Sequence, residues 1–174
     1  MSRRTRSLLG RLARWDDTLA LAVVFGLASV PWTYAFVAGL HIPLWPAFIA
    51  SASFYAAGGG LEGLKLGYAS NAAGIAYGAA TLWVVNSFLG GGVVALSIVV
   101  GAFMFLASLH AYVETFSFTP GGFFGYATLF SVHAAEATAF GVPGLAGETL
   151  AAAVSMLLGA AIGLGTERLS EALT

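Results

Sequence analysis

The 174-residue sequence contains no cysteine, and Lys, Arg, Asp and Glu together make up only 9% of it. The first absence excludes disulfide frameworks, thiolate metal sites and cysteine nucleophiles. The second excludes an ordinary water-soluble domain, in which about a quarter of the residues are charged. Seven basic residues face eight acidic ones, a net charge of −1. With no excess of Lys and Arg there is no broad basic surface to neutralise phosphates, so nucleic acid is not an expected partner. What is present is apolar: 59% of the residues are hydrophobic, the composition of an integral membrane protein.

The spacing of the charges sets the number of membrane segments. Forty-four residues without Lys, Arg, Asp or Glu separate Asp17 from Glu62, and 48 separate Lys65 from Glu114. Shorter charge-free stretches of 21 and 18 residues follow Glu114 and Glu148. A helix needs about 20 apolar residues to cross the hydrocarbon layer, so each long stretch holds two segments and each short one holds one. Turn residues divide the long stretches at Gly39–Pro46 and at Gly90-Gly91-Gly92. The expected segments are 18–38, 44–58, 63–88, 93–113, 119–136 and 146–166. A β-barrel does not fit, because the segments lack alternation of polar and apolar residues.

Arg3, Arg4, Arg6, Arg11 and Arg14 precede the first segment, Lys65 sits between the second and third, and Arg168 follows the sixth. With six crossings and a cytoplasmic N-terminus, all seven lie on the cytoplasmic side, which is the positive-inside pattern. The expectation is a multi-pass protein of the cell (inner) membrane with both termini cytoplasmic. Residues 1–15 read as a basic interfacial segment, with Leu8, Leu9, Leu12 and Trp15 at helical spacing against the arginines. They do not read as a cleavable signal, since the apolar run behind them is too long. Trp15, Trp32, Trp45 and Trp83 fall near segment ends and suit interfacial anchoring.

The two halves of the chain, 16–90 and 91–174, show a weak internal match. A shift of 76 aligns Phe48 with Phe124 and Phe54 with Phe130; a shift of 85 aligns Gly74 with Gly159 and Gly78 with Gly163. Three segments per half is an odd number, so the second copy enters the membrane from the opposite side and the halves form an inverted repeat. The second segment of each half is short and interrupted. One is entered by Pro43 and Pro46 and interrupted by Gly58-Gly59-Gly60; the other is entered by Thr119-Pro120-Gly121-Gly122 and followed by Gly141–Gly144. Paired short segments of this kind point to a central binding site or pore, and equally suit close helix packing with ordinary loops.

Pro43-Leu44-Trp45, Phe54 with Gly59-Gly60-Leu61, and Phe118-Thr119-Pro120-Gly121 with Phe124-Gly125 carry a resemblance. Over roughly residues 20–165 the chain resembles the domain of unknown function 1097 family of small prokaryotic inner-membrane proteins. The Phe-x-Pro-Gly-x-x-Phe-Gly element is the most specific part of the likeness, and its Pro-Gly maps onto Pro120 and Gly121. The resemblance implies a multi-spanning membrane protein and no established activity.

Ionisable and polar groups at membrane depth are costly, and each is a functional candidate. Glu62, paired with Lys65 at i,i+3, and Glu148, which begins the sixth segment, stand as mouth or gate residues; helix N-terminal charge compensation explains them as well. His133 and Glu136, one turn apart, form a candidate proton relay at the other mouth. His110 and Glu114 read as a surface pair. Ser51 and Tyr55 on segment two, Tyr126 and Thr128 on segment five, Asn71 on segment three, and Pro120 and Gly121 are the candidate path. Tight packing accounts for the same residues. Gly67, Asn71, Gly74 and Gly78 form a small-residue ridge on segment three, as Ala151, Ser155, Gly159 and Gly163 do on segment six. These ridges predict a tightly packed centre of segments three and six, or a subunit interface.

The three histidines are scattered and offer no metal site. No phosphate-binding glycine loop, nucleophile elbow or aspartate dyad occurs, so no catalytic residue, enzyme activity or cofactor is expected. The expected architecture is an all-α membrane protein with six transmembrane helices, built as two inverted three-helix repeats. The expected function is a channel or transporter for a small solute or ion, assembled as a homo-oligomer in the lipid bilayer. The rival is a structural or interaction membrane protein that moves nothing.

Overall fold

The computed structural model describes residues 16–174, and the described chain is helical, without strands. The basic segment expected over residues 1–15, with its five arginines and Trp15, lies outside the described residues. Helix α1 runs Asp17–Tyr34 and continues as π turns over Ala35–Leu40. Helix α2 is Trp45–Ala56, α3 Gly60–Phe88, α4 Val93–Leu109, α5 Thr119–Ala134 and α6 Gly144–Glu171. These helices lie within a few residues of the six segments expected from the charge gaps and turn residues.

Local chemistry fixes the ends. Asp16 caps α1, its carboxylate accepting from the Leu19 N–H at 2.9 Å. Prolines stand in the first turn of α2 and α5, where a missing N–H costs nothing. Gly58, Gly59 and Gly60 all have positive φ (104°, 69° and 62°), so α2 reverses into α3 within three residues. The glycines therefore make the turn after α2 and do not break it internally.

Three helical stretches are long and apolar enough to cross a membrane: Asp17–Leu40, Val93–Tyr112 and Gly144–Glu171. On the outer helices the apolar residues face outward. Leu27, Val30, Tyr34 and Val37 of α1 form an exposed stripe, as do Val94, Ile98 and Phe105 of α4. A soluble helix turns such a stripe to its core, whereas a helix in lipid leaves it outside.

The short helices are the structural novelty. At about 1.5 Å per residue, the 12 residues of α2 and the 16 of α5 rise roughly 18 and 24 Å, less than the roughly 30 Å hydrocarbon layer. Neither starts at the end of its neighbour. The beginning of α2 lies against Gly159, fifteen residues into α6, and the beginning of α5 lies against Ser70 and Asn71, ten and eleven residues into α3. The principal packed pairs are α3 with α5 and α6 with α2. Next comes α3 with α6, then α3 with α4, α2 with α3, α6 with α1 and α5 with α6. Exchanging α1–α3 for α4–α6 returns the same pairs.

Backbone contact makes the packing close. A Cβ at Gly74 would overlap the carbonyl of Gly122, one at Gly125 the carbonyl of Asn71, and one at Gly159 the carbonyl of Ala47. The ridges on α3 and α6 are thus seated on the short helices of the opposite half. The expected centre of α3 and α6, which do pack on each other, is therefore completed by the short helices seated on the two ridges. The reason is steric: a 12- or 16-residue helix reaches little surface, and approach to backbone contact compensates for its shortness.

Gly74→Ala and Gly159→Ala are each expected to destabilise the detergent-solubilised protein by about 2 kcal/mol or more, because the obstructing atoms are backbone and cannot rotate away. Gly101→Ala, on α4 with no atom within 4 Å of the new methyl, is expected to be neutral or to stabilise by about 0.5–1 kcal/mol. Thermal unfolding followed by size-exclusion fluorescence checks the contrast.

Candidate functional site

The buried waist between the halves is held by side chains bonded across helices. Ser51 donates to the Gly159 carbonyl at 2.7 Å, and Ser53 donates to Asn71 Oδ1 at 2.9 Å. Two tyrosine–threonine bonds have the same form. Tyr55 Oη lies 2.9 Å from Thr166 Oγ1, and Tyr126 Oη lies 2.9 Å from Thr81 Oγ1. Thr81 gives its own hydrogen to the Tyr77 carbonyl and Thr166 gives its hydrogen to its own helix. In the Tyr126 pair the tyrosine is therefore the donor, while the single Tyr55 hydrogen has a second acceptor in the Gly163 carbonyl at 3.2 Å. Thr81 and Thr166 are 85 residues apart, the same shift that relates Gly74 to Gly159.

The structure thus brings Ser51 and Tyr55 of α2 onto α6, and Asn71 of α3 and Tyr126 of α5 into one interior. Ser51, Asn71, Gly121, Tyr126 and Thr128 are buried, and Tyr55 is half-buried. Pro120 stands apart on the exposed surface. The hydroxyls of Ser51, Tyr55 and Tyr126 are occupied by protein partners, so in this state they join helices.

Mouth residues gather at the two ends of the bundle. At one end Glu62 and Lys65 form an exposed ion pair at 3.0 Å, beside Glu114, Thr115 and Ser117 around a cavity of about 410 Å³. At the same end Glu167 of α6 accepts the Gly60 N–H at 2.8 Å, joining the end of α6 to the start of α3. At the other end His133, Glu136 and Glu148 line an open cavity of about 590 Å³. Here His133 Nδ1 sits 2.7 Å from Glu148 Oε2, and the carboxylate is 8% exposed. The expected one-turn pair of His133 with Glu136 does not form, because α5 ends at Ala134 and Glu136 takes φ +50° beyond it. Glu136 faces the same cavity without joining the pair. Among the described residues, no three His, Asp or Glu side chains converge as metal ligands would.

His110 is a second correction. It is 6% exposed and makes no bond to Glu114. Its ring lies between Tyr77 and Phe116, with centroids 5.9 and 6.0 Å away. The i,i+4 spacing misled because the helix ends at Leu109 and gives way to 3₁₀ turns that fold His110 inward. Sequence reasoning also missed Ser70 and Glu167. Ser70 had a signal: the 85-residue shift pairs it with Ser155, and both are fully buried without a partner for the hydroxyl. Glu167 had none, since its partner is a backbone N–H more than a hundred residues away.

Tyr126→Phe and Tyr55→Phe are each expected to lower stability by about 0.5–1.5 kcal/mol, the worth of one net hydrogen bond. Because the two bonds share no partner, the double variant is expected to show a nearly additive loss in thermal unfolding.

A family profile described as protein of unknown function (DUF1097) matches residues 22–171, and the chain belongs to that family. No curated protein and no solved structure matches it.

Proposed function

We propose that this family member is a membrane protein of six segments that passes a small solute or ion between its two halves, with the path closed in the state described above. One observation carries the reading: both proline-led helices begin partway along the long helices instead of at their ends. In a bilayer this places helix starts at depth, which is tolerated only under a cover of protein or beside a water-filled passage. Half-length helices in corresponding positions of two halves are the usual way of building a central transport site. The path runs by Ser51, Tyr55, Asn71, Gly121, Tyr126 and Thr128, with Glu62 at one mouth and His133, Glu136 and Glu148 at the other.

The inverted repeat, 16–90 against 91–174, is supported by the exchange of packed pairs and by the 85-residue relation of Ser70 to Ser155 and Thr81 to Thr166. Alternating helix directions support it too: α1 begins beside the C-terminal residues Ser170, Glu171 and Thr174. Lys65 and Arg168 lie toward that same end, so the positive-inside rule makes both termini cytoplasmic in an inner membrane. The less apolar α3 is the third crossing, packed against five other elements. A shallow groove of about 680 Å³ between α3 and α6, lined by Ala79, Ala80, Trp83, Leu145, Leu150 and Ala153, offers an apolar surface on which a homo-oligomer packs. We assign no enzymatic step.

The second reading, a structural protein that moves nothing, is favoured by the sealed waist, where the path hydroxyls bond to protein. Flux decides between them. Liposomes containing the full chain are expected to pass at least one of water, urea, glycerol or a monovalent ion about tenfold faster than empty liposomes. Glu148→Gln, at the mouth and nearly isosteric, is expected to lower that flux about tenfold with the fold intact. No flux for any solute favours the structural reading. Topology has its own test, made simple by the absence of cysteine. Val93→Cys is expected to react with an impermeant maleimide in intact cells, and Leu173→Cys only after permeabilisation.

A further inference from the structure

The mouth at the end of α5 carries negative charge that the described chain does not cancel. His133, Glu136 and Glu148 line an open cavity of about 590 Å³, with Thr138, Pro143 and Gly144. Among the described residues the only Lys and Arg are Lys65 and Arg168, and both belong to the opposite end. At that opposite end Glu62 has its lysine 3.0 Å away, and both side chains are exposed. Here Glu148 is 8% exposed and its partner is a histidine. Two carboxylates supply two negative charges. Against them stand at most one positive charge, from a protonated His133, and about half a charge from the N-terminus of α6, which begins at Gly144. The balance stays negative whether or not the histidine carries its proton, so the cavity attracts cations.

The hydrogen bonds narrow the class. His133 Nδ1 meets Glu148 Oε2 at 2.7 Å, and no second bond to this carboxylate is made among the described residues. Its Oε1 is not sealed away from solvent, so it stands open to the cavity that the side chain lines. A carboxylate nine-tenths buried and half satisfied calls for a donor. Glu136 faces the same cavity and adds two more oxygens that only accept. Three acceptors in want of donors suit a cation that carries N–H groups. A bare metal ion fits less well, because among the described residues no three His, Asp or Glu side chains converge as its ligands would. The space is also larger than one ion needs and lies in the range of small-molecule pockets. A primary ammonium group presents three donors on one compact charge. The volume leaves room for a short carbon chain against Ala134 and Pro143.

We propose that this cavity binds a small organic cation of the primary-amine class, with its ammonium group between Glu148 Oε1 and Glu136. The inference rests on the reading of this end as a mouth of the path, and it names the solute class for that path. The test measures binding separately from transport. Propylammonium, compared with tetramethylammonium at equal ionic strength, is expected to raise the apparent Tm of the purified full-length protein by about 3 °C or more near saturation. Tetramethylammonium has the same charge and no N–H donor. Glu136→Gln, an exposed substitution that leaves the His133–Glu148 pair in place, is expected to weaken propylammonium binding about fivefold. Glu148→Gln is expected to abolish the shift; should that variant fail to fold, Glu136→Gln decides alone. An equal response to the two cations, a shift undiminished in Glu136→Gln, or a larger shift with calcium than with propylammonium overturns the site. Urea or glycerol flux without a propylammonium shift overturns the amine site and spares the path. A propylammonium shift that is weakened in Glu136→Gln, without flux of any solute, propylammonium included, keeps the site and overturns the path.

Discussion

The contact between backbones at Gly74, Gly125 and Gly159 is the constraint on which the rest depends. Each glycine removes the one side-chain atom that would separate a short helix from a long one. Without that approach, α2 and α5 would have too little surface to be held partway along α6 and α3. With it, the two halves interlock, each lending its long helix to the other's short one. Dispersion over a close contact is small per atom and large in sum, and in lipid it does the work that burial from water does elsewhere.

That interlocking places polar groups where lipid cannot reach them. Ser51, Ser53, Tyr55 and Tyr126 find partners across helices. Ser70, Asn71 Nδ2, Thr128 and Ser155 do not. An interior satisfied at some positions and orphaned at others differs from a core optimised only for rigidity, where apolar residues of the same volume would avoid the penalty. The apolar stripes on α1 and α4 face the other way, so polarity rises from the outside inward, the reverse of a soluble protein.

Much of the architecture was legible in the sequence because it follows from local rules. Charge-free gaps gave the helix count, and Pro46, Pro120 and the triple glycine gave helix starts and a turn. The glycine ridges on α3 and α6 were visible as spacing, but their partners were not. Gly74 meets Gly122 and Gly159 meets Ala47 through tertiary approach, which no periodicity encodes. The candidate site was legible in part. His133, Glu136 and Glu148 do share one cavity, yet the bonded pair is His133 with Glu148 across a loop, since the helix stops before Glu136. His110 looked like a surface residue because its burial depends on 3₁₀ turns that the apolar pattern does not announce.

The central claim is that α2 and α5 begin inside the hydrocarbon layer, held there by backbone contact. Electron cryo-microscopy of the full chain in lipid nanodiscs tests it most directly. The account predicts density for the first turns of α2 and α5, residues 45–48 and 119–122, within the lipid belt, with Ala47 against Gly159 and Gly121 against Ser70. Short helices that begin at the membrane surface, or that extend across the whole layer, would contradict it.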